Sequence, residues 1–245
     1  MLYAALLMIA SVALTIVGVT ALGHGQGEIP ALALAIPALW IVPQGKTAAW
    51  LLLSGLALFG YALPDQPLAL SISLFMILPI LAVSFSSKSP WQLGAMLIAV
   101  VIAMLFGLMA LQTESKLSGS MGATCMQLMG VLMIWYAARS WRPVTGNTWW
   151  ALVLVVPLLM GGMAPAALVA LCVTGLIAAM QEMEKHKVGE WIPKMAWVLP
   201  AIGFATLVLA PQFEVPSSIL VSWLLILGGG LLGEFLLEEN EEEEV

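Results

Sequence analysis

The sequence predicts an all-α integral membrane protein that crosses a bilayer about ten times. Three observations predict this class. The 245-residue chain is 62% hydrophobic and only 9% charged, with a mean hydropathy of +1.04. Its apolar residues form unbroken runs, such as 2–22 and 93–111, rather than the stretches of about ten alternating residues typical of a membrane β-barrel. Basic residues alternate between loops as the positive-inside rule requires. Because unpaired backbone groups are costly in hydrocarbon, these runs must be helices.

A helix needs about 20 residues to cross the hydrocarbon core, and glycines, prolines and charged clusters separate one span from the next. We predict spans at 2–22, 29–43, 47–63, 67–86, 91–111, 119–138, 148–162, 164–181, 193–210 and 216–237. The first is interpreted as a retained helix rather than a signal peptide, because it lacks a basic leader and its apolar run is too long. The short second and seventh spans contain Pro37 and Pro157, so we expect them to be kinked or broken.

Loop charges predict the orientation. With the N-terminus inside, the outer loops hold only Lys116, whereas the inner loops hold seven basic residues. These seven are Lys46, Lys88, Arg139, Arg142, Lys185, Lys187 and Lys194. Most tryptophans also fall near the predicted inner ends, as an interfacial aromatic belt would. We therefore predict a protein of a cell membrane, of the bacterial inner-membrane type, with both termini in the cytoplasm.

Residues 1–237 form one predicted transmembrane domain, and 238–245 form an acidic cytoplasmic tail. Seven of the fourteen acidic residues lie in the last twelve positions, so the rest of the chain is nearly neutral. Like charges repel one another and nothing apolar remains to bury, so we expect the tail to be disordered. The lipid bilayer is the expected environment, and the tail or the charged loop at 181–194 could bind a protein partner. The sequence contains no basic patch, so we do not expect a nucleic-acid partner.

The two halves of the chain resemble each other. A shift of 120 places 31–39 over 151–159, with proline over proline, and Gly55 over Gly175. A shift of 121 places proline 79 over proline 200.

These matches predict repeats at 1–111 and 119–237. Each repeat holds five spans, an odd number, so the second begins on the opposite side of the membrane and the repeats are inverted. This layout is similar to that of the drug/metabolite transporter superfamily, although none of that superfamily's motif residues occurs here. The likeness is one of fold alone. Inverted repeats are a common architecture of secondary transporters, with the site near the midplane between the halves.

No ionisable residue lies near the middle of a predicted span, although proton-coupled carriers usually need one. Gln127, at the centre of the sixth span, is the strongest substrate-path candidate. Its amide either lines a polar path or joins two helices through a structural hydrogen bond. Thr124, Pro37 and Pro157 are the other substrate-path candidates. Glu234 is either a gating or coupling residue or an interfacial acid that leads into the tail.

The sequence predicts no cofactor, no bound metal and no catalytic set. Met121, Cys125, Met129 and Met133 recur every four residues, and soft sulfur ligands suit Cu(I). Methionine is also a common filler of apolar gaps, and this stripe drifts around its helix, which favours packing. The cysteines are interpreted as small apolar side chains. Polar residues at the predicted outer ends are interpreted as solvated loop residues: His24, Gln26, Glu28, Gln112 and Glu114.

These features favour a transporter that carries a small neutral or amphipathic solute, or a lipid-linked substrate, through a midplane cavity between the repeats. The alternative is a non-catalytic membrane subunit that anchors or assembles a larger complex, which would explain the acidic tail and the scarcity of polar site residues. An intramembrane enzyme is a third possibility. It is disfavoured because acid–base groups are sparse, and His24 and His186 fall on opposite predicted sides. The sequence predicts no oligomeric state.

Overall fold

The computed structural model of this chain describes residues 2–41, 47–86, 89–140, 148–186 and 191–243. Every regular element within these ranges is helical. In chain order we name the segments α1 (Leu2–His24), α2 (Ala31–Ile41), α3 (Thr47–Tyr61), α4 (Leu68–Ser84), α5 (Trp91–Thr113), α6 (Met121–Arg139), α7 (Trp149–Met160), α8 (Ala164–Lys185), α9 (Trp191–Leu209) and α10 (Ser217–Glu243).

Five helices are long and apolar enough to cross a membrane: α1, α5, α6, α8 and the Ser217–Leu236 part of α10. The other five segments are shorter apolar helices of 10–17 residues, when α9 is counted from Pro193 to Leu209. The prediction of an all-helical membrane protein is therefore confirmed, and the count of ten crossings stays a prediction. Four basic residues used to orient the chain lie outside the described residues: Lys46, Lys88, Arg142 and Lys187.

The predicted break in the second span is not observed. α2 is α-helical throughout its length and passes through Pro37. The irregular segments are α4 and α7, and of these α7, the seventh span, was expected to be irregular. α4 contains a 3₁₀ turn at Leu74–Met76, and α7 begins as a 3₁₀ helix at Trp149–Leu154. In both, a proline is the third residue of the α-helix that follows, where its missing N–H removes little hydrogen bonding.

Two long helix pairs organise the bundle: α3 packs along α6, and α1 packs along α8. Small residues allow both pairs to approach closely. Gly55 of α3 faces Gly130 of α6, while a Cβ at Gly175 of α8 would lie 2.8 Å from Leu14 Cδ1 of α1. α9 then packs against α1 and α4, α10 covers α4 and α5, and α2 lies against α3, α7 and α8.

The largest buried apolar cluster joins α3, α4, α5, α6 and α10. One buried residue from each is Phe59, Ile77, Leu97, Val131 and Ile226. The cluster therefore connects the first predicted half with the second, and the boundary between the halves falls in the short connection between α5 and α6.

The predicted disorder of the acidic tail is not what the structure shows over 238–243. The backbone of α10 continues as a helix to Glu243. Glutamate is a good helix former, and extending an existing helix adds one hydrogen bond per residue without a new nucleation cost. Charge repulsion among the glutamates opposes this propagation, and disorder of the tail stays a prediction. Residues 244–245 lie outside the described residues.

Candidate functional site

A cavity of about 320 Å³ lies among six helices of the bundle. α1, α3 and α4 from the first half form one part of its wall, and α6, α8 and α9 from the second half form the other. The remaining helices contribute no lining residue. The lining residues are Thr15, Val19, Leu52, Leu56, Ile72, Phe75, Leu78, Ile134, Trp135, Ala138, Val173, Leu176, Ile177, Met180, Met195, Ala196, Leu199, Pro200 and Gly203.

The wall of this cavity is apolar. Its one side-chain hydroxyl, on Thr15, donates to the carbonyl oxygen of Ser11 at 2.9 Å and is therefore used within α1. The only other lining side chain with a polar atom is Trp135, which carries an indole N–H. A cavity with this lining suits an apolar group, because a polar or charged group would lose its hydration without gaining partners.

The cavity extends toward one end of the bundle. Ala138 immediately precedes Arg139, the last residue of α6, and Met195 lies within the first two turns of α9. Met180 lies near the end of α8 on the same side. No lining residue comes from the connections at the opposite end, such as 112–120. The loop charges predict that the end near Arg139 is the cytoplasmic one.

An aromatic and cationic cluster lies at that end. The rings of Trp135 and Phe85 have centroids 5.1 Å apart. The guanidinium carbon of Arg139 lies 5.6 Å from the Trp135 centroid and 5.9 Å from the Phe85 centroid. These distances permit cation–π attraction. Sequence reasoning counted Arg139 only as a loop charge. Its place over a cavity-lining ring depends on how α4 packs beside α6.

Gln127 lies outside the cavity. Its side chain is fully buried, and its Nε2 donates to the Oγ of Ser71 at 2.8 Å, so it links α6 to α4. Its Oε1 has no partner in the described part of the chain. Of the two roles left open by the sequence, this geometry supports the structural hydrogen bond between helices.

Thr124 belongs to a closed ring of three hydrogen bonds. Its hydroxyl donates to Gln112 Oε1 at 2.9 Å, Gln112 Nε2 donates to Gln66 Oε1 at 3.1 Å, and Gln66 Nε2 donates to Thr124 Oγ1 at 2.5 Å. The amide of Gln66 also reaches the carbonyl oxygen of Ser120 at 2.9 Å. All three ring members are buried. The ring joins α5, α6 and the residues before α4, at the end of the bundle opposite Arg139.

The interpretation of Gln112 as a solvated loop residue is therefore wrong, because only 7% of it is exposed. Sequence reasoning missed Gln66 altogether. The available signal was chemical: buried amides need partners, and Gln66, Gln112 and Thr124 all lie near predicted outer ends. Which amides would meet could not be read from the sequence.

The remaining candidates do not line the cavity either. Pro37 is buried in α2, whereas Pro157 is exposed on α7. Glu234 is exposed on α10, and within the described residues it makes no hydrogen bond or ion pair. Its position supports the interpretation as an interfacial acid.

The described residues hold no group of three or more His, Cys, Asp or Glu side chains that could bind a metal ion. The sulfur stripe on α6 faces outward, since Met121, Cys125 and Met129 are exposed. Cys172 is buried, with its Cβ 3.2 Å from where a Cβ on Gly18 would lie. These positions favour packing for Cys172 and a surface position for Met121, Cys125 and Met129.

No protein-family model matches the chain, and no curated protein or solved structure is significantly similar to it. The layout likeness to the drug/metabolite transporter superfamily therefore stays a prediction. Functional inference rests on the chain's own residues.

Proposed function

We propose that this protein is a multi-pass membrane transporter that carries a small neutral or amphipathic solute, or a lipid-linked substrate, through the cavity between two inverted five-helix repeats. Both termini lie in the cytoplasm in this proposal, and the membrane is of the bacterial inner-membrane type. The observation that carries the proposal concerns the wall of the cavity. Each half of the chain contributes three helices to this wall, and many of the lining residues occupy matching positions in the two halves.

The matching positions follow the half-chain shift. Pairs of lining residues on α3 and α8, and on α4 and α9, are separated by 121 residues: Leu52 and Val173, Leu56 and Ile177, Phe75 and Ala196, Leu78 and Leu199. Pairs on α1 and α6 are separated by 119 residues: Thr15 and Ile134, Val19 and Ala138. The separation is the same within each pair of helices, and both values lie within one residue of the shift of 120 that superposes Gly55 on Gly175. Corresponding helices therefore turn similar faces toward the cavity. This is the arrangement expected of two inverted repeats around a shared site.

Helix packing supports the same correspondence. If α1 corresponds to α6 and α3 to α8, then the α3–α6 pair corresponds to the α8–α1 pair. Both pairs are long contacts. The glycines that the shift of 120 superposes, Gly55 and Gly175, both lie at these contacts, against α6 and α1 respectively.

The lining supports the choice of substrate. Ligand pockets of about 300–1,000 Å³ are common, and this cavity of about 320 Å³ is at the small end of that range. Its wall carries no ionisable side chain, so a small ion would find no counter-charge within it. An apolar body, alone or attached to a polar head, is the chemistry that such a wall accommodates. The same lack of ionisable groups favours transport without proton coupling.

Translocation in proteoliposomes tests the proposal. A fluorescent single-chain amphiphile is placed in both leaflets, and the protein-dependent rate at which the inner population becomes accessible to an external quencher is measured. Leu56→Trp and Ile177→Trp place an indole in the cavity from each half, and we expect each to lower the rate about tenfold or more. Leu224→Trp, on an exposed part of α10, is the matched control and should retain the rate.

Two outcomes contradict the proposal. If the cavity variants and the control translocate the amphiphile at equal rates, the cavity is not part of the transport path. A folded wild-type protein that produces no translocation would instead favour the non-catalytic membrane subunit.

A further inference from the structure

Arg139 is placed where the apolar cavity meets the end of the bundle. It follows Ala138, a lining residue, and its guanidinium lies over the ring of Trp135, which also lines the cavity. The rings of Trp135 and Phe85 are tilted to each other and both lie within 6 Å of the guanidinium carbon. Contact with two rings restricts the orientation of the exposed guanidinium and holds it beside Trp135, which is a lining residue.

The guanidinium has no anionic partner in the part of the chain that the structure describes. Lys185, the last residue of α8, differs, because its Nζ lies 2.7 Å from the Glu182 carboxylate. Contact with an aromatic face does not use the N–H groups at the edge of a guanidinium. Those N–H groups form a planar fork that matches the oxygens of a carboxylate or a phosphate.

The cavity volume limits the apolar part of a ligand. A water molecule occupies about 30 Å³ in the liquid, and a methylene group is of similar size, so a cavity of about 320 Å³ holds about ten such groups. The apolar wall and the cation at its end are together complementary to an amphiphile: a chain of about ten carbons with an anionic head.

We propose that the cavity binds a single-chain amphiphile with its apolar chain among the lining residues and its carboxylate or phosphate head on the guanidinium of Arg139. This inference rests on the proposed function and names the substrate class of the same cavity. The head is recognised by charge and by paired N–H donors, and the chain by burial of its apolar surface.

Photocrosslinking of the purified protein in nanodiscs of zwitterionic lipid tests the inference. The probe is decanoic acid with a diazirine near its methyl end, and crosslinked peptides are identified by mass spectrometry. Because the head lies at the Arg139 end, we expect labels on lining residues further from that end, such as Leu56 and Val19. Unlabelled decanoate, decyl phosphate and decanol then compete with the probe, and the anions should compete about tenfold better than the neutral alcohol.

Variants separate charge recognition from a structural role of Arg139. Arg139→Gln should remove the preference for anions over decanol while decanol still competes. Arg139→Lys, which keeps the charge but lacks the fork, should keep part of the preference. Lys185→Gln removes a cation from the same end of the bundle, outside the cavity wall, and should keep all of it. Leu56→Trp should reduce labelling by anionic and neutral probes alike.

Labels confined to the exposed surface, or an anion preference that survives Arg139→Gln, would overturn the inference. Loss of competition by decanol in Arg139→Gln, together with a lower melting temperature, would assign Arg139 a structural role and also overturn it. Stronger competition by decyl phosphate than by decanoate, or the reverse, supports the inference and assigns the head group.

The two proposals fail in different ways. Translocation of a neutral amphiphile without any anion preference would keep the transporter and reject the anionic head. An anion preference that depends on Arg139, with no translocation in proteoliposomes, would keep the binding site and reject the transporter.

Discussion

Gly55 on α3 and Gly130 on α6 face each other so closely that a Cβ built on either would lie 2.8 Å from the carbonyl oxygen of the other. The contact is between backbones, so neither side chain rotamers nor a small local shift can relieve added volume. It lies between a helix of the first half and a helix of the second, beside the cavity to which both helices contribute.

Gly130→Ala should therefore destabilise the protein. The new methyl group would meet the Gly55 carbonyl and also lie 3.2 Å from Phe59 Cβ, and overpacking of this kind costs about 1–3 kcal/mol. Gly122→Ala, on the same helix with nothing within 4 Å of its Cβ position, is the control. Since alanine forms helix better than glycine, the control should be unchanged or slightly stabilised. Reversible unfolding in mixed micelles measures both, and equal stabilities would contradict the close backbone contact.

Gly175→Ala should cost less than Gly130→Ala, although the nearest atom is also 2.8 Å away. Here that atom is Leu14 Cδ1, the far end of a flexible side chain on α1. A rotamer change can move it, whereas a backbone carbonyl cannot move without separating the helices. The same unfolding measurement orders the two variants. A larger loss for Gly175→Ala would mean that Leu14 is fixed by its neighbours.

Thr124→Val should break the hydrogen-bond ring while nearly preserving side-chain shape. The change leaves Gln112 Oε1 without its donor and removes an acceptor from Gln66 Nε2, and an unsatisfied buried polar group costs about 1–3 kcal/mol. Thr113→Val is the control, because this exposed hydroxyl only donates to Met109 O within its own helix. We expect the control to change the free energy of unfolding by less than about 0.5 kcal/mol. If Thr124→Val and Thr113→Val lower the free energy of unfolding by similar amounts, the hydrogen-bond ring does not contribute to stability.

Gln127 and Ser71 should behave as a structural pair. Ser71→Ala leaves the buried Gln127 amide without its acceptor and should destabilise the protein by about 1–3 kcal/mol. The double variant Ser71→Ala with Gln127→Leu removes both polar partners and should recover most of that loss. Because neither residue lines the cavity, the double variant should also retain translocation. If the double variant folds but does not translocate the amphiphile, Gln127 is part of the substrate path.

The short helices α2 and α3 should cross the membrane despite their length. A helix of 15 residues, such as α3, is about 22 Å long, less than the hydrocarbon core of about 30 Å. Crossing therefore requires local bilayer thinning or nonhelical ends shielded by neighbouring helices. In a cysteine-free background, we expect Glu28→Cys and Asp65→Cys to react with an impermeant maleimide from outside. Thr47→Cys should react only after permeabilisation.

Ala49→Cys, at a buried position, is the control for this labelling and should stay unreactive until the protein is unfolded. If Thr47→Cys and Asp65→Cys react from the same side, α3 does not cross and the proposed inverted repeats fail.

Helix positions were predictable to within a few residues because the signals are local. Trp91 opens α5 after a proline, and Gly119 and Ser120 precede α6, where the Ser120 side chain accepts a hydrogen bond from the Ala123 N–H. The 3₁₀ turn in α4 was not predicted, although a proline follows it. Propensity alone does not say whether a proline bends a helix, tightens it or, as at Pro37, is accommodated within it.

The candidate site was predicted less well than the helices. The sequence identified Gln127 and Thr124 as polar groups that need partners, and the structure gives each a partner on another helix. The partners Ser71, Gln66 and Gln112 were not identified, because each lies 12 or more residues away along the chain. The contacts of Arg139 with the rings of Trp135 and Phe85 were also not predicted, since a cation at a helix end is expected for orientation alone.

By itself the sequence determined that this protein is a helical membrane protein, where its apolar segments begin and end, and that the middle of its predicted spans holds no ionisable group. Those properties follow from how each segment partitions between water and hydrocarbon, independently of the others. Only the tertiary structure decided which faces meet: the backbone contact of Gly55 with Gly130, the polar ring around Thr124 and the apolar cavity among six helices. Within a bilayer, lipid solvates every apolar face equally, so close packing and hydrogen bonding between distant segments select the partners.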